Sequence, residues 1–112
     1  MKDGDIHITQ TNAIILHLAG KAGILGSTSE LQAKAHQLLC FSQEVRTPYC
    51  MVCYRSTADT FEAMRDEAMD MTIRPKIEQL GALCDKSTGP YLLGEELTYA
   101  DLLWADLLEQ VW

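Results

Sequence analysis

The sequence has no apolar run of the roughly 18 to 20 residues needed to span a bilayer, and its N-terminus lacks the charged-then-apolar pattern of a secretory leader. Positive charge is scarce too: 9 lysines and arginines stand against 16 aspartates and glutamates, a net charge of -7. That balance disfavours a surface that tracks nucleic-acid phosphates and a polybasic membrane contact, so neither nucleic acid nor membrane is expected as a partner. What is present is 112 residues with a 47% hydrophobic content, room for one core. The expectation is a soluble protein of the cytoplasm.

A second closely spaced cysteine pair is also missing, which removes the spacing of a zinc site, and no metal site is expected. The four cysteines are Cys40, Cys50, Cys53 and Cys84. Cys50-Met51-Val52-Cys53 has redox-motif spacing, and Thr47-Pro48-Tyr49-Cys50 echoes the Pro-Tyr-Cys of a dithiol oxidoreductase. A reactive pair belongs at a helix N-terminus after a buried strand, where the helix dipole lowers the thiol pKa. These residues instead follow the helical-looking run Leu38-Leu39-Cys40-Phe41. All four are therefore expected to be reduced and buried in the core, as free cysteines commonly are.

The N-terminus reads as the second half of a unit. Asp3-Gly4 is a two-residue hairpin signal, and Ile6 and Ile8 alternate with polar neighbours as in a half-buried strand. Only Met1 and Lys2 precede it. A strand from Asp5 to Thr9 would be left with an unpaired edge, which natural proteins normally cover, so a missing preceding segment or a partner chain on that edge is expected.

Beyond it the pattern is helical. Thr11 is placed to cap a first helix with Ile14, Leu18, Ala22 and Leu25 at helical spacing and Gly23 and Gly26 as stops. Ser27 to Ser29 offer the next cap. A stripe of Leu31, Ala35, Leu38, Val45 and Val52 then runs to about Tyr54, interrupted by Pro48, which predicts a bend near residues 44 to 48 or two helices in place of one. A third segment from about Thr57 carries Phe61, Met64, Ala68 and Met71 on one side. Asp59, Glu62, Asp66, Glu67 and Asp70 lie on the other as a solvated acidic face. Pro75 is placed to bend it before a turn-rich stop at residues 85–90. Finally, Thr98-Tyr99-Ala100-Asp101 fits a capping box, with Asp in place of the commoner Glu. It opens a core helix bearing Ala100, Leu103, Trp104, Leu107, Leu108 and Val111. No cap, glycine or polar tail follows Val111-Trp112.

Two motifs together carry a family resemblance. Ile8-Thr9-Gln10-Thr11-Asn12-Ala13-Ile14-Ile15 and Tyr91-Leu92-Leu93-Gly94-Glu95-Glu96-Leu97-Thr98-Tyr99-Ala100-Asp101, in that order and separation, resemble a cytosolic glutathione S-transferase of the mu, sigma or alpha type. The resemblance implies a mainly α fold. Residues 1–26 would be the last strand and helix of a truncated thioredoxin-like domain, and residues 27–112 an incomplete all-helical C-terminal domain, the chain being cut at both ends. It also implies glutathione as substrate, a hydrophobic electrophile as co-substrate where the site is complete, and a homodimer.

Position by position, Gln10 and Thr11 match the pair that holds the γ-glutamyl end of glutathione; an amide, a hydroxyl and a helix N-terminus converging on a carboxylate give that role a physical basis. Simple capping by Thr11 is the structural alternative. Glu44 matches an acidic residue that reaches the neighbouring subunit's glutathione amine. Tyr54 matches a tyrosine of the electrophile pocket, or is a core or rim aromatic. Thr98 and Asp101 match the family's folding-critical cap. No catalytic residue is assigned, because the family's thiol-activating tyrosine and cis-proline loop would precede residue 1. A free thiol of pKa about 8.5 is only a few per cent thiolate at neutral pH, and lowering it by about two units is worth about 2.7 kcal/mol. The family's arginine on the helix after the Gln-Ser/Thr pair is replaced by Leu16, and His17 follows as a surface or interface residue. Three functions remain: a glutathione S-transferase-like protein inactive as the isolated chain, a non-catalytic structural or interaction subunit, or, as a third, an unrelated helical binding domain.

Overall fold

A computed structural model describes residues 1–111. The order is β1 (Lys2–Asp3), β2 (Ile6–His7), α1 (Thr11–Ala22), α2 (Ser29–Arg55), α3 (Phe61–Ala68), a π-helical turn (Met69–Ile73), α4 (Arg74–Cys84) and α5 (Tyr99–Val111). The mainly α architecture expected from the periodicity is thus present. At 1.5 Å per residue, α2 is about 40 Å long, and α3, α4 and α5 lie along it. A chain this long packed as a ball would have a radius of gyration of about 13 Å; the observed 15.9 Å, with a shortest dimension of 18 Å, describes a thin slab with α2 as its spine.

The N-terminal strand is not bare. β1 pairs antiparallel with β2 in the register Lys2 with His7 and Asp3 with Ile6. The Met1 ammonium and the Ile8 carbonyl (2.8 Å), and the Ile8 N–H and the Met1 carbonyl (3.0 Å), close the open end. The two turn residues are Gly4 and Asp5, one position later than the Asp-Gly signal suggested, and Gly4 takes the positive φ of 59° that such a turn needs. Because the turn consumes so few residues, Met1 to Asp3 suffice as the first strand.

α1 presents a different face from the one expected. Ala19 is its buried residue, flanked by half-buried Ile15 and Leu16, whereas Leu18 is 48% exposed. Moving the contact from Leu18 to Ala19 turns the helix by about 100°. The small side chain lets the backbone after α1 approach α5 closely enough for the Tyr99 N–H to donate to the Ile24 carbonyl at 2.9 Å. α1 ends at Gly23, whose φ of 72° is the left-handed cap conformation.

α2 is capped by Thr28, whose hydroxyl accepts from the Leu31 N–H at 3.1 Å. It continues through Pro48 as one helix to Arg55 in place of two. Proline removes one donor and so leaves the Glu44 carbonyl without its helical partner. Burial of Val45 and Val52 on either side holds the axis together across that gap. Pro75 acts differently. The Arg74 N–H bonds to the Met69 carbonyl, five residues back, so the chain widens into a π turn just before the proline ring. Met71, expected on the inner side, is thereby 76% exposed.

The core is built where α5 crosses α2. Ala100, Trp104 and Leu107 are buried against Ala35, Leu38, Leu39 and Val45. The Trp104 indole lies 5.2 Å from the Phe41 ring centre and donates Nε1–H to the Leu38 carbonyl at 3.2 Å. Cysteine contributes nothing to this core. Cys40, Cys53 and Cys84 are exposed, Cys50 is half-buried, and all are free, because the stripe that meets α5 is filled by leucine, alanine and valine while the thiols fall on outward positions. The acidic residues of α3 are solvent-facing, as expected. Trp112, part of the C-terminal end discussed above, lies outside the described residues.

The acid half of the capping box at α5 is formed, while the Asp101 N–H donates to the Thr98 carbonyl in place of its hydroxyl. One Asp101 carboxylate oxygen accepts from the Thr98 N–H (2.8 Å) and the Thr98 hydroxyl (3.0 Å), and the other accepts from the Leu92 N–H (2.7 Å). Gly89 is needed in the same loop, since a Cβ there would lie 2.4 Å from the Gly94 carbonyl.

Two predictions follow from these ties. Asp101→Ala strands two backbone donors and a buried hydroxyl, and should lower unfolding free energy by about 2–3 kcal/mol in urea titration. The second concerns Asp3, whose carboxyl is held below its ordinary pKa of 3.8 by hydrogen bonds from Lys21 and then His17. A depressed acid contributes stability that is fully present above 3.8 and is lost as pH falls through its lower folded value. The melting-temperature difference between the parent and Asp3→Asn should therefore be constant above about pH 5 and vanish in strong acid.

Candidate functional site

Ile8 closes the hairpin and Thr11 begins α1, so two residues, Thr9 and Gln10, make the connection. Gln10 has φ 71° and ψ 121°, and among the described residues it is the one non-glycine with positive φ. Such a conformation costs of order 1–3 kcal/mol and persists only where the surroundings impose it. Thr11 does not cap α1, because it is already the first helical residue; the cap position belongs to Gln10, and no side chain accepts from the helix's first donors. No acidic residue lies in that first turn. Gln10 and Thr11 are both exposed, so an uncapped, electropositive helix end opens to solvent.

α2 reaches this end through a residue the sequence did not single out. The Gln43 side-chain amide donates to Asn12 Oδ1 at 3.4 Å, a long contact that places Gln43 beside the α1 N-terminus. Amide residues are weak sequence signals, and only the crossing of α2 past α1 distinguishes this one. Its neighbour Glu44 turns the other way. Glu44 is exposed and pairs with Lys76 of α4 at 2.5 Å, beside a groove of about 450 Å³ that also includes Phe41 and Leu83. The structure therefore does not bring Glu44 to Gln10 within one chain.

Tyr54 stands ten residues beyond Glu44, about 15 Å further along the helix. At 86% exposed it is neither a core nor a rim aromatic. The enclosed apolar space on that part of α2 belongs instead to Tyr49, which lines a cavity of about 190 Å³ with Val52, Cys53, Phe61, Met69 and Val111. The Tyr49 hydroxyl interacts with the Cys53 thiol, and that hydrogen bond, with the nearby thiols and Tyr54, pushes its pKa up. Burial pushes up the Tyr99 phenol as well, whose oxygen has no hydrogen-bond partner. Among the described residues none of the four tyrosines is hydrogen-bonded to Gln10 or Thr11, and no group of three or more His, Cys, Asp or Glu side chains could hold a metal ion.

His17 and Lys21 of α1 meet Asp3 of the hairpin. One oxygen, Asp3 Oδ2, is 2.8 Å from His17 Nε2 and 2.6 Å from Lys21 Nζ. The site is thus an exposed helix N-terminus with a strained glutamine before it, flanked by α2 on one side and by a hairpin tied to α1 on the other.

Comparison with known proteins places this geometry. Residues 43–112 match the family model described as the glutathione S-transferase C-terminal domain. The chain is 31% identical over 104 residues to glutathione S-transferase 3 of Caenorhabditis elegans, covering 89% of this chain and 50% of that protein. It is 32% identical over 108 residues to glutathione S-transferase Mu 2 of Mus musculus, covering 96% and 47%. Among solved structures, the glutathione S-transferase Blo t 8 superposes with a TM-score of 0.84 at 25% identity, over 97% of this chain and 50% of that one. The pi-class glutathione S-transferase of Onchocerca volvulus superposes at 0.83 and 21% identity, which speaks for the fold. The chain spans about half the length of the curated relatives it matches. With the family model matching more than half of the chain, and with the hairpin, Gln10–Thr11 turn and capped α5 in place, the protein belongs to the glutathione S-transferase family.

Proposed function

We propose that this chain carries the γ-glutamyl-binding part of a glutathione site, with glutathione as the substrate of the transferase chemistry named for its relatives. The uncapped α1 N-terminus behind the strained Gln10 carries this reading. The free N–H groups of the first turn attract a carboxylate, the Thr11 hydroxyl adds a donor, and the Gln10 amide offers both donor and acceptor to the adjoining ammonium and carboxylate. Asn12 and Gln43 extend the polar rim. In this reading residues 1–26 are the last hairpin and helix of a thioredoxin-like domain and residues 27–112 the helical domain.

In a completed site the glutathione thiolate would attack a hydrophobic electrophile. Tyr54, exposed on α2, would join the electrophile pocket. Glu44, facing away from its own Gln10, is placed to serve the glutathione amine of a neighbouring subunit, with a second copy of the chain as partner. A groove of about 260 Å³ lined by Pro48, Met51, Met64 and Met71 lies between α2 and the α3 segment. No helix among the described residues is long and apolar enough to cross a membrane, and we place the protein in the cytoplasm.

A second reading is a non-catalytic structural or interaction subunit. The purified 112-residue chain should not conjugate glutathione to a chlorinated aromatic electrophile above the uncatalysed rate; turnover blocked by a competitive glutathione analogue would refute that. Glutathione at about 100 times its Kd should nevertheless stabilise the fold by about 2.7 kcal/mol, seen as a rise in melting temperature. Gln10→Ala should remove that rise. A parent chain unmoved by glutathione would favour the structural reading.

A further inference from the structure

The hairpin that precedes Gln10 has little to hold it in place. It contains two residue pairs and one further closure between Met1 and Ile8, and an isolated two-stranded hairpin is marginal in water. Lys2, Ile6 and His7 are exposed, Ile6 at 50%. No hairpin residue belongs to the buried core cluster or to the side chains packed on it. Among the described residues, the side-chain hydrogen bonds and ion pairs from the hairpin to the rest of the molecule all run through one atom, Asp3 Oδ2.

That atom is well placed to act at a distance. His17 and Lys21 are four residues apart and so share a face of α1, and His17 lies six residues, about 9 Å along the axis, from Thr11. The hairpin is therefore fixed to α1 at two points: covalently through Thr9 and Gln10, and through the Asp3 bridge further along the helix. A connection of two residues held at both ends has few conformations. This explains why Gln10 can be kept at a φ of 71°, which a free chain end would relax.

We propose that Asp3 is a positioning residue for the Gln10–Thr11 site: by bridging the hairpin to His17 and Lys21, its carboxylate keeps Gln10 in the left-hand conformation and the α1 N-terminus open to the γ-glutamyl group. The proposal rests on the glutathione reading for the ligand, but the bridge itself is a property of the free chain. The charged groups facing one another there are Asp3 from the hairpin and His17 and Lys21 from α1; among the described residues Lys2, Asp5 and His7, also on the hairpin, form no ion pair with them.

Amide-resolved NMR of the 112-residue chain tests this without ligand. In Asp3→Asn the Gln10 and Thr11 amide resonances should move away from their parent positions, and hydrogen exchange at Ile8 should quicken by about five-fold, the scale of an exposed ion pair. The Trp104 indole resonance and the far-UV spectrum should stay as in the parent. Asp3→Glu should return those resonances part of the way to the parent positions, and His17→Gln, which retains the Lys21 contact, should shift them less than Asp3→Asn. Unchanged Gln10 and Thr11 resonances in Asp3→Asn would overturn the proposal, as would a change spread equally to Trp104, which would mark a general loss of fold. Added glutathione separates the two readings. Amides that respond to Asp3→Asn but not to glutathione keep the bridge and reject the ligand, whereas the reverse pattern rejects the bridge alone.

Discussion

The Asp101 carboxylate is the contact on which the rest of the helical assembly depends. By accepting from Leu92 and twice from Thr98 it closes the loop behind α4 and starts α5 in one direction. A helix started in that direction delivers Trp104 and Leu107 to the middle of α2, where both are buried. It also sets the Tyr99 N–H against the Ile24 carbonyl, so that the segment after α1 is held by the first turn of α5. Three charge-assisted acceptor bonds at one carboxylate thereby fix the relation of α1, α2 and α5 to one another. Charge-assisted bonds suit that task because they are directional and roughly twice as strong as neutral ones.

This has a consequence for the candidate site. Gln10 precedes α1 and Thr11 begins it, whereas Gln43 belongs to α2, and the 3.4 Å contact between Gln43 and Asn12 joins the two helices there. The stabilising network and the candidate site are therefore separated along the chain. The buried capping network sits at residues 92–101, and the exposed, strained and electropositive helix end sits at residues 10–12. The strain at Gln10 is carried by a short hairpin tied down by Asp3, an arrangement with low apolar burial that suits a ligand-facing edge.

Local grammar was legible wherever one residue determines its own geometry. Thr28 and Asp101 are caps as their sequence context suggests, Gly23 ends α1, and the α5 stripe from Ala100 to Val111 lies on the core side, because each feature needs only neighbours within a few positions. Gln10 and Thr11 were recognisable by motif, although the motif does not say that Gln10 rather than Thr11 takes the cap position. The misjudged features all depend on a partner element. The α1 face turned by about 100° because small Ala19 allows the close approach to α5. The cysteines lie outside because α5 meets the leucine and valine stripe of α2. Pro48 leaves one helix because packing on both sides spans the missing bond. Glu44 and Tyr54 both lie on α2, but their surroundings were not readable: one pairs with Lys76 across to α4 and the other projects into solvent.

The sequence by itself determined the helical class, the element order, the two caps, the glycine stop and the family to which the Gln10–Thr11 and Thr98–Asp101 motifs belong. These rest on periodicities and short-range hydrogen bonding, whose physics is contained within about one turn of chain. Tertiary structure alone decided which face of α1 is buried, that Met1 to Asp3 complete the hairpin, and that one aspartate oxygen joins that hairpin to His17 and Lys21. It also decided that Gln43, not Glu44, approaches the α1 N-terminus. The Asp3 bridge and the approach of Gln43 depend on contacts 14 to 31 residues apart in sequence, and no local pattern encodes them, because they are set by how the elements pack.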